Sequence, residues 1–220
     1  MLKTTAASGF GAKVNALPDA TVSFVTSTQS AANATSYTFS SQSLGTAAAN
    51  RTIVIGCATF GPGATNCIIT SATLGGSTMT IENHANDSTL RASFLRLAYP
   101  TGTSADVVVN VTAVGYLCGI GIWACYGIGD YDDTSVAGYP SESTDINISA
   151  GGIAIGYAVN HNPTATVTWT NMTERFDDVM DYTSHSGADT SSATGANPTV
   201  TCDWPTRDSG PLLLNAWPKG

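Results

Sequence analysis

Charge is what this chain has least of. Only 11% of its 220 residues are Asp, Glu, Lys or Arg, against about 25% in ordinary soluble domains. Lysine and arginine together number 8, and the net charge is −8. Binding to a phosphate backbone runs on Lys and Arg contacts, so no nucleic-acid partner is expected. The lysines are Lys3, Lys13 and Lys219, all near the ends, while the body carries Arg51, Arg91, Arg96, Arg175 and Arg207. The tails are therefore expected either to meet a different surface from the body or to be solvated ends. Few charges also leave sheet edges poorly protected against pairing. The expectation is closed edges or a homo-oligomer.

Long apolar runs are absent too. The longest, from Tyr116 to Ile128, is interrupted by Gly119, Gly121 and Gly127 and falls short of the ~18 residues read as a membrane span. The opening MLKTTAASGFGAKV has no apolar h-region, so synthesis in a cytoplasm and no membrane partner are expected. Five cysteines occur, Cys57, Cys67, Cys118, Cys125 and Cys202, without CxxC pairs or zinc spacing. They read as buried free thiols, with a Cys57–Cys67 bridge as the alternative. There is no H-E-x-x-H, no G-x-S-x-G elbow and no phosphate-binding glycine loop. Helical periodicity is nearly missing as well, with Asp177 to His185 the one modest candidate.

What the chain has is strand grammar. Residues 1–20 are small and Gly/Ala-rich and read as an extended N-terminal arm. From Thr21 onward, alternating or apolar β-branched runs arrive about every ten residues: 21–26, 36–40, 51–60, 66–74, 77–82, 90–99, 105–113, 116–128, 144–149, 151–160, 165–170, 172–176, 198–204 and 210–217. Gly75-Gly76 between two of them signals a tight hairpin. Short strands at this spacing predict an all-β, antiparallel β-sandwich of jelly-roll type, with 21–220 as one domain. IVIGCA (53–58) and IAIGYA (153–158) echo each other. The echo marks either two related sheets or a shared solution for strands packing closely at a glycine; the second is the reading taken here.

The segments Arg51–Gly56, Ile69–Thr80, Phe94–Gly102 and Ser104–Thr112, with the later 151–177, resemble a β-sandwich domain of tailed-phage virion structural proteins and bacterial surface proteins. The short basic arm at residues 1–13 is similar to arms by which virion proteins dock to neighbours. The resemblance implies a non-enzymatic bacteriophage virion protein, made in the host cytoplasm, whose partners are its own copies and other virion proteins of the capsid or tail. Capsid decoration is the first expectation, a tail or fibre component the next, and a carbohydrate-binding adhesin module the third. No cofactor is implied.

Candidate site residues follow from residue chemistry. Asp130, Asp132 and Asp133 alternate in a loop, a pattern that suits Ca²⁺ with its oxygen ligands, or else a solvated acidic loop. Glu174, Asp177, Asp178 and Asp181 form a second acidic run and read as polar surface, since neighbouring acids on one segment seldom flank a sugar bond. His84, His161 and His185 sit among turn-like residues and read as such. Trp123 and Trp169 fit the core. Trp204 and Trp217 either anchor a terminal strand or bury in a partner, where Trp is favoured; with Lys3, Phe10 and Lys13 they are the candidate partner contacts. Loop tyrosines offer ring faces to a sugar. Tyr131 and Tyr139 are the candidate glycan contacts, and Tyr182 is a further loop aromatic.

Overall fold

A computed structural model describes residues 16–61, 67–87, 89–138, 141–163, 166–206 and 209–220. Lys3, Phe10, Lys13 and Tyr139 lie outside the described residues. The first half holds β1 (Thr21–Ser30), β2 (Ala34–Ser43), β3 (Arg51–Phe60), β4 (Ile69–Leu74), β5 (Ser77–Thr78), β6 (Thr80–Asp87), β7 (Leu90–Ala98), β8 (Ser104–Gly115) and β9 (Leu117–Tyr126). The second holds β10 (Asp133–Ala137), β11 (Ser143–Asp145), β12 (Gly152–Asn160), β13 (Thr168–Thr170), β14 (Thr173–Met180), β15 (Thr183–Ser192), β16 (Thr199–Asp203) and β17 (Leu212–Trp217). All pairings are antiparallel, so the all-β antiparallel sandwich read from the sequence is the fold.

The sandwich is doubled. The first half forms a sheet ordered β1-β9-β3-β7-β6 and an outer sheet β2-β8-β4-β5; the second forms β10-β17-β12-β15-β14 and an outer sheet β11-β16-β13. Renumbered by position, the two orders coincide strand for strand, apart from the extra β5. Each half follows the jelly-roll order, in which successive strands alternate between two facing sheets. The two larger sheets pack face to face, giving four layers and three cores. The segment 21–220, expected as one sandwich, is thus a stack of two.

This layering explains why β3, β9 and β12 are apolar on both faces. Ile53, Ile55 and Cys57 point into the first outer core, while Val54, Ala58 and Phe60 point into the central one. On β12 the phase is reversed: Ile153, Ile155 and Tyr157 are central, and Ala154 and Ala158 face the second outer core. The IVIGCA and IAIGYA echo is therefore out of register between the halves. Each motif still solves close packing at its glycine. A Cβ at Gly56 would lie 2.3 Å from the Tyr157 ring, and one at Gly156 would lie 2.6 Å from Trp169. Related sheets exist, but the repeated topology carries that relationship rather than the echo.

The central core is aromatic. Trp123 meets Tyr157 edge-on at 6.5 Å between centroids, and Phe94 meets Trp217 at 5.8 Å. Such pairs contribute about 0.5–1.5 kcal/mol each beyond their area burial. Across the stack, Trp123 Nε1 donates to Asp189 Oδ2 at 2.9 Å, and Asn215 Nδ2 reaches Glu82 Oε2 at 3.5 Å. The halves even share a bulge on the edge strand, at Glu82 in β6 and at Arg175 in β14. Glu82 pairs with Arg96 at 2.6 Å, and Arg175 pairs with Asp189 at 2.7 Å. Acid and base have exchanged places between equivalent positions.

Gly75 and Gly76 form the expected hairpin turn, with φ of 57° and 81° joining β4 to β5. All five cysteines are free and buried, so the thiols act as small hydrophobes and no Cys57–Cys67 bridge forms. Other expectations are corrected. Asp177 to His185 is not helical: it ends β14, turns at Asp181-Tyr182 and begins β15. The strand β15, TSHSGADTSS, is buried over Thr183–Asp189 although it carries few apolar residues. Its small side chains lie under rings: Ser186 Oγ accepts from Trp169 Nε1 at 2.8 Å, and a Cβ at Gly187 would lie 2.5 Å from Phe176. His185 is fully buried there, and His84 lies on β6; neither is a turn residue.

Candidate functional site

Three turns converge at one end of the junction between the two jelly rolls. β1 ends beside the start of β9, with Ser30 opposite Cys118, which sets the β1–β2 turn next to the β8–β9 turn. The β14–β15 turn lies over the same place from the other half, because β9 packs on it there: a Cβ at Gly119 would meet Met180 at 2.5 Å and His185 at 2.8 Å. Gln29 Nε2 ties the halves by donating to the Val179 carbonyl at 2.5 Å. Between the turns is an open cleft of about 400 Å³, lined by Ala31, Asn33, Tyr116, Leu117, Asp181 and Tyr182.

Tyr182 is 67% exposed and Tyr116 is 39% exposed, whereas Leu117 is buried. Tyr116 is held from behind by the Phe60 ring at 5.6 Å, and Phe60 in turn rests on His161. Asp181 occupies the left-handed region, with φ of 47°, a conformation costly for a side chain other than Gly and often retained at binding turns. The cleft thus offers two aromatic faces, a carboxylate and an amide, and among the described residues no cation lines it.

A second cleft, of about 450 Å³, runs past Thr52, Thr80, Arg96, Ile128 and Asp130. Its one cation is already engaged. Arg96 pairs with Glu82 at 2.6 Å and with Asp130 at 2.5 Å, and donates to the Gly129 carbonyl at 2.9 Å. Burial pushes the Glu82 carboxyl up, with Arg96 opposing.

The candidate calcium loop is drawn in three directions. Asp130 goes to Arg96, Asp132 accepts from Ser149 Oγ at 2.5 Å, and Asp133 accepts from the Asn147 amide at 2.6 Å. Among the described residues no group of three or more His, Cys, Asp or Glu is placed to hold a metal. Tyr131 is 40% exposed but lines neither cleft. Trp204 and Trp217 are corrected as partner contacts. Both rings are buried in the chain's own cores, Trp217 in the central one and Trp204 in the second outer one, so they anchor their strands.

The acidic run is divided as well. Asp177 accepts from the Val167 amide at 3.1 Å, and burial raises its carboxyl, as it does that of Glu174. Asp178 faces the buried His185 at 3.7 Å. Among the described residues no nucleophile, base and orienting group are brought together at either cleft. No protein-family model matches this chain, and no curated protein matches it.

Proposed function

We propose that this chain is a non-enzymatic structural protein of a tailed-phage particle, displayed on the capsid as a decoration or cement protein, with a tail or fibre position as the next assignment. One observation carries the reading: the strands of both outer sheets present hydroxyl-rich faces without a cation. The first shows Thr38, Ser40, Thr73 and Thr112; the second shows Ser143, Thr168, Thr170 and Thr199. Neither has a Lys or Arg on any of its strands. Three of the arginines are engaged within the chain. Arg51 is buried and donates to five backbone carbonyls, while Arg96 and Arg175 are held in ion pairs. Lys- and charge-poor sheet faces and edges favour association with neighbours.

The jelly roll recurs in viral capsid proteins, which supports the reading by fold analogy alone. A standard interface of about 1,600 Å² at ~25 cal/mol per Å² gives gross attraction well above the cost of ordering. The basic arm at residues 1–13 is the proposed docking tail. The test is the solution mass of the purified chain together with its co-sedimentation with particles. The reading expects self-association or particle binding, and loss of docking when residues 1–13 are deleted. A stable monomer with no particle affinity would refute it.

A further inference from the structure

We propose that the cleft formed by Asn33, Tyr116, Asp181 and Tyr182, at the junction of the two jelly rolls, is a binding site for a neutral carbohydrate. This does not depend on where the chain sits in a particle. A pyranose ring has an apolar C–H face and a rim of hydroxyls. The C–H face stacks on an aromatic ring, and the hydroxyls need acceptors and donors fixed around it. The cleft supplies both kinds of group. Tyr116 and Tyr182 are the exposed rings, the Asp181 carboxylate accepts, the Asn33 amide donates and accepts, and Leu117 is the apolar floor.

Ligand charge is set by what surrounds the cleft. Among the described residues no Lys or Arg lines it, and Asp181 sits in the β14–β15 turn that forms one wall. An anionic sugar or a phosphate would meet the Asp181 carboxylate with no counter-charge among the described residues, which disfavours an anionic ligand. A purely apolar ligand would leave Asp181 and Asn33 desolvated and unpaired, which is costly. The volume lies at the small end of the range for ligand pockets and suits one or two sugar rings.

The walls of the site are tied to the frame. Gln29 fixes the β14–β15 hairpin to β1, and Phe60 backs Tyr116. At the equivalent junction on the other side of the stack the chain bridges itself: the Gly210 amide donates to Asp87 Oδ2 at 2.9 Å.

The experiment is an NMR titration of the intact chain with neutral trisaccharides built from glucose, N-acetylglucosamine, galactose, mannose and rhamnose, with trigalacturonate as the anionic control. At least one neutral member is expected to bind saturably at concentrations up to about ten times a millimolar Kd. Tyr182→Ala and Asp181→Asn should each weaken that binding at least tenfold while leaving the thermal midpoint unchanged, since both residues are exposed. Trigalacturonate should not bind. No saturable binding by any neutral member would overturn the proposal, and so would binding that both variants leave intact. A change in solution mass on Tyr182→Ala, with sugar affinity unaltered, would assign the cleft to contact between copies and also overturn it.

Discussion

His185 makes acid sensitivity a test of the central core. The ring is fully buried between the two large sheets, with Phe176 at 5.1 Å and Tyr157 at 5.8 Å between centroids. The Tyr157 hydroxyl lies 2.5 Å from Nδ1, and the one charged neighbour, Asp178, lies 3.7 Å from Nε2. Burial drives the imidazole down from its ordinary 6.5 to about 4, against the opposing pull of Asp178. The folded state therefore takes up the proton at lower pH than the unfolded chain. Stability is full above pH 6.5, falls as pH drops toward 4, and changes no further on this account below that. The gap of about 2.5 pH units, at about 1.36 kcal/mol each, amounts to ~3 kcal/mol.

Urea unfolding followed by tryptophan fluorescence, at intervals from pH 7.5 to 4, measures the loss directly. Glu82, Asp177 and Glu174 act in the opposite sense. Their carboxyls are raised by burial, so the folded state holds those protons more readily and gains stability as pH falls through their range. The comparison that isolates His185 is wild type against His185→Gln, which keeps a polar group near Tyr157 but does not titrate. The difference in stability between the two should narrow or shift by ~3 kcal/mol between pH 7 and pH 4. Parallel pH profiles would refute the buried, neutral histidine.

Three further perturbations probe the rest of the frame. Arg51→Met removes five donors from the carbonyls of Leu44, Gly45, Tyr99, Thr101 and Gly102; a loss of about 3–5 kcal/mol is expected in urea unfolding, and Arg51→Lys should recover only part of it, because one ammonium cannot span those positions. Gly56→Ala places a methyl 2.3 Å from Tyr157 and should cost about 1–3 kcal/mol by overpacking, with calorimetry showing a lower Tm and partial rescue by Tyr157→Leu. Arg175→Met leaves the buried Asp189 with only the Trp123 indole N–H and should cost about 3–5 kcal/mol, while Arg175→Met with Asp189→Asn should be markedly milder in a double-mutant cycle.

One strand buried on both faces, β3, is legible down to its ends, whereas the runs read for β9 and β12 overshoot theirs. Arg51–Phe60 was read from the sequence with the bounds that β3 has, because β-branched residues on both faces leave little ambiguity. The stacking of two jelly rolls was not legible. Its sequence echo is out of phase between β3 and β12, and pairing order has no local signature. β15 was missed for a physical reason: it fills space beneath Trp123, Trp169 and Phe176 with Ser and Gly, so its burial leaves no hydrophobic pattern. β10, at Asp133–Ala137, was hidden in the same way by a polar stretch that only pairing with β17 makes a strand.

The cleft was half visible. Tyr182 stood out as a loop aromatic, but its neighbours Asn33 and Tyr116 are brought to it by the stacking of the halves, and Tyr116 reads in sequence as the start of a central strand. Trp204 and Trp217, which in sequence fit either a strand anchor or a partner contact, are decided for anchoring only by tertiary structure: the register of β17 against β12 puts Trp217 opposite Ile153 and inside the central core.

The account stands most directly on the make-up of the particle itself. Quantitative mass spectrometry of gradient-purified virions should find this chain at many copies per particle, in fixed ratio to the major shell or tail protein. Its absence from purified particles, with the chain recovered only in the soluble lysate, would contradict the proposed role.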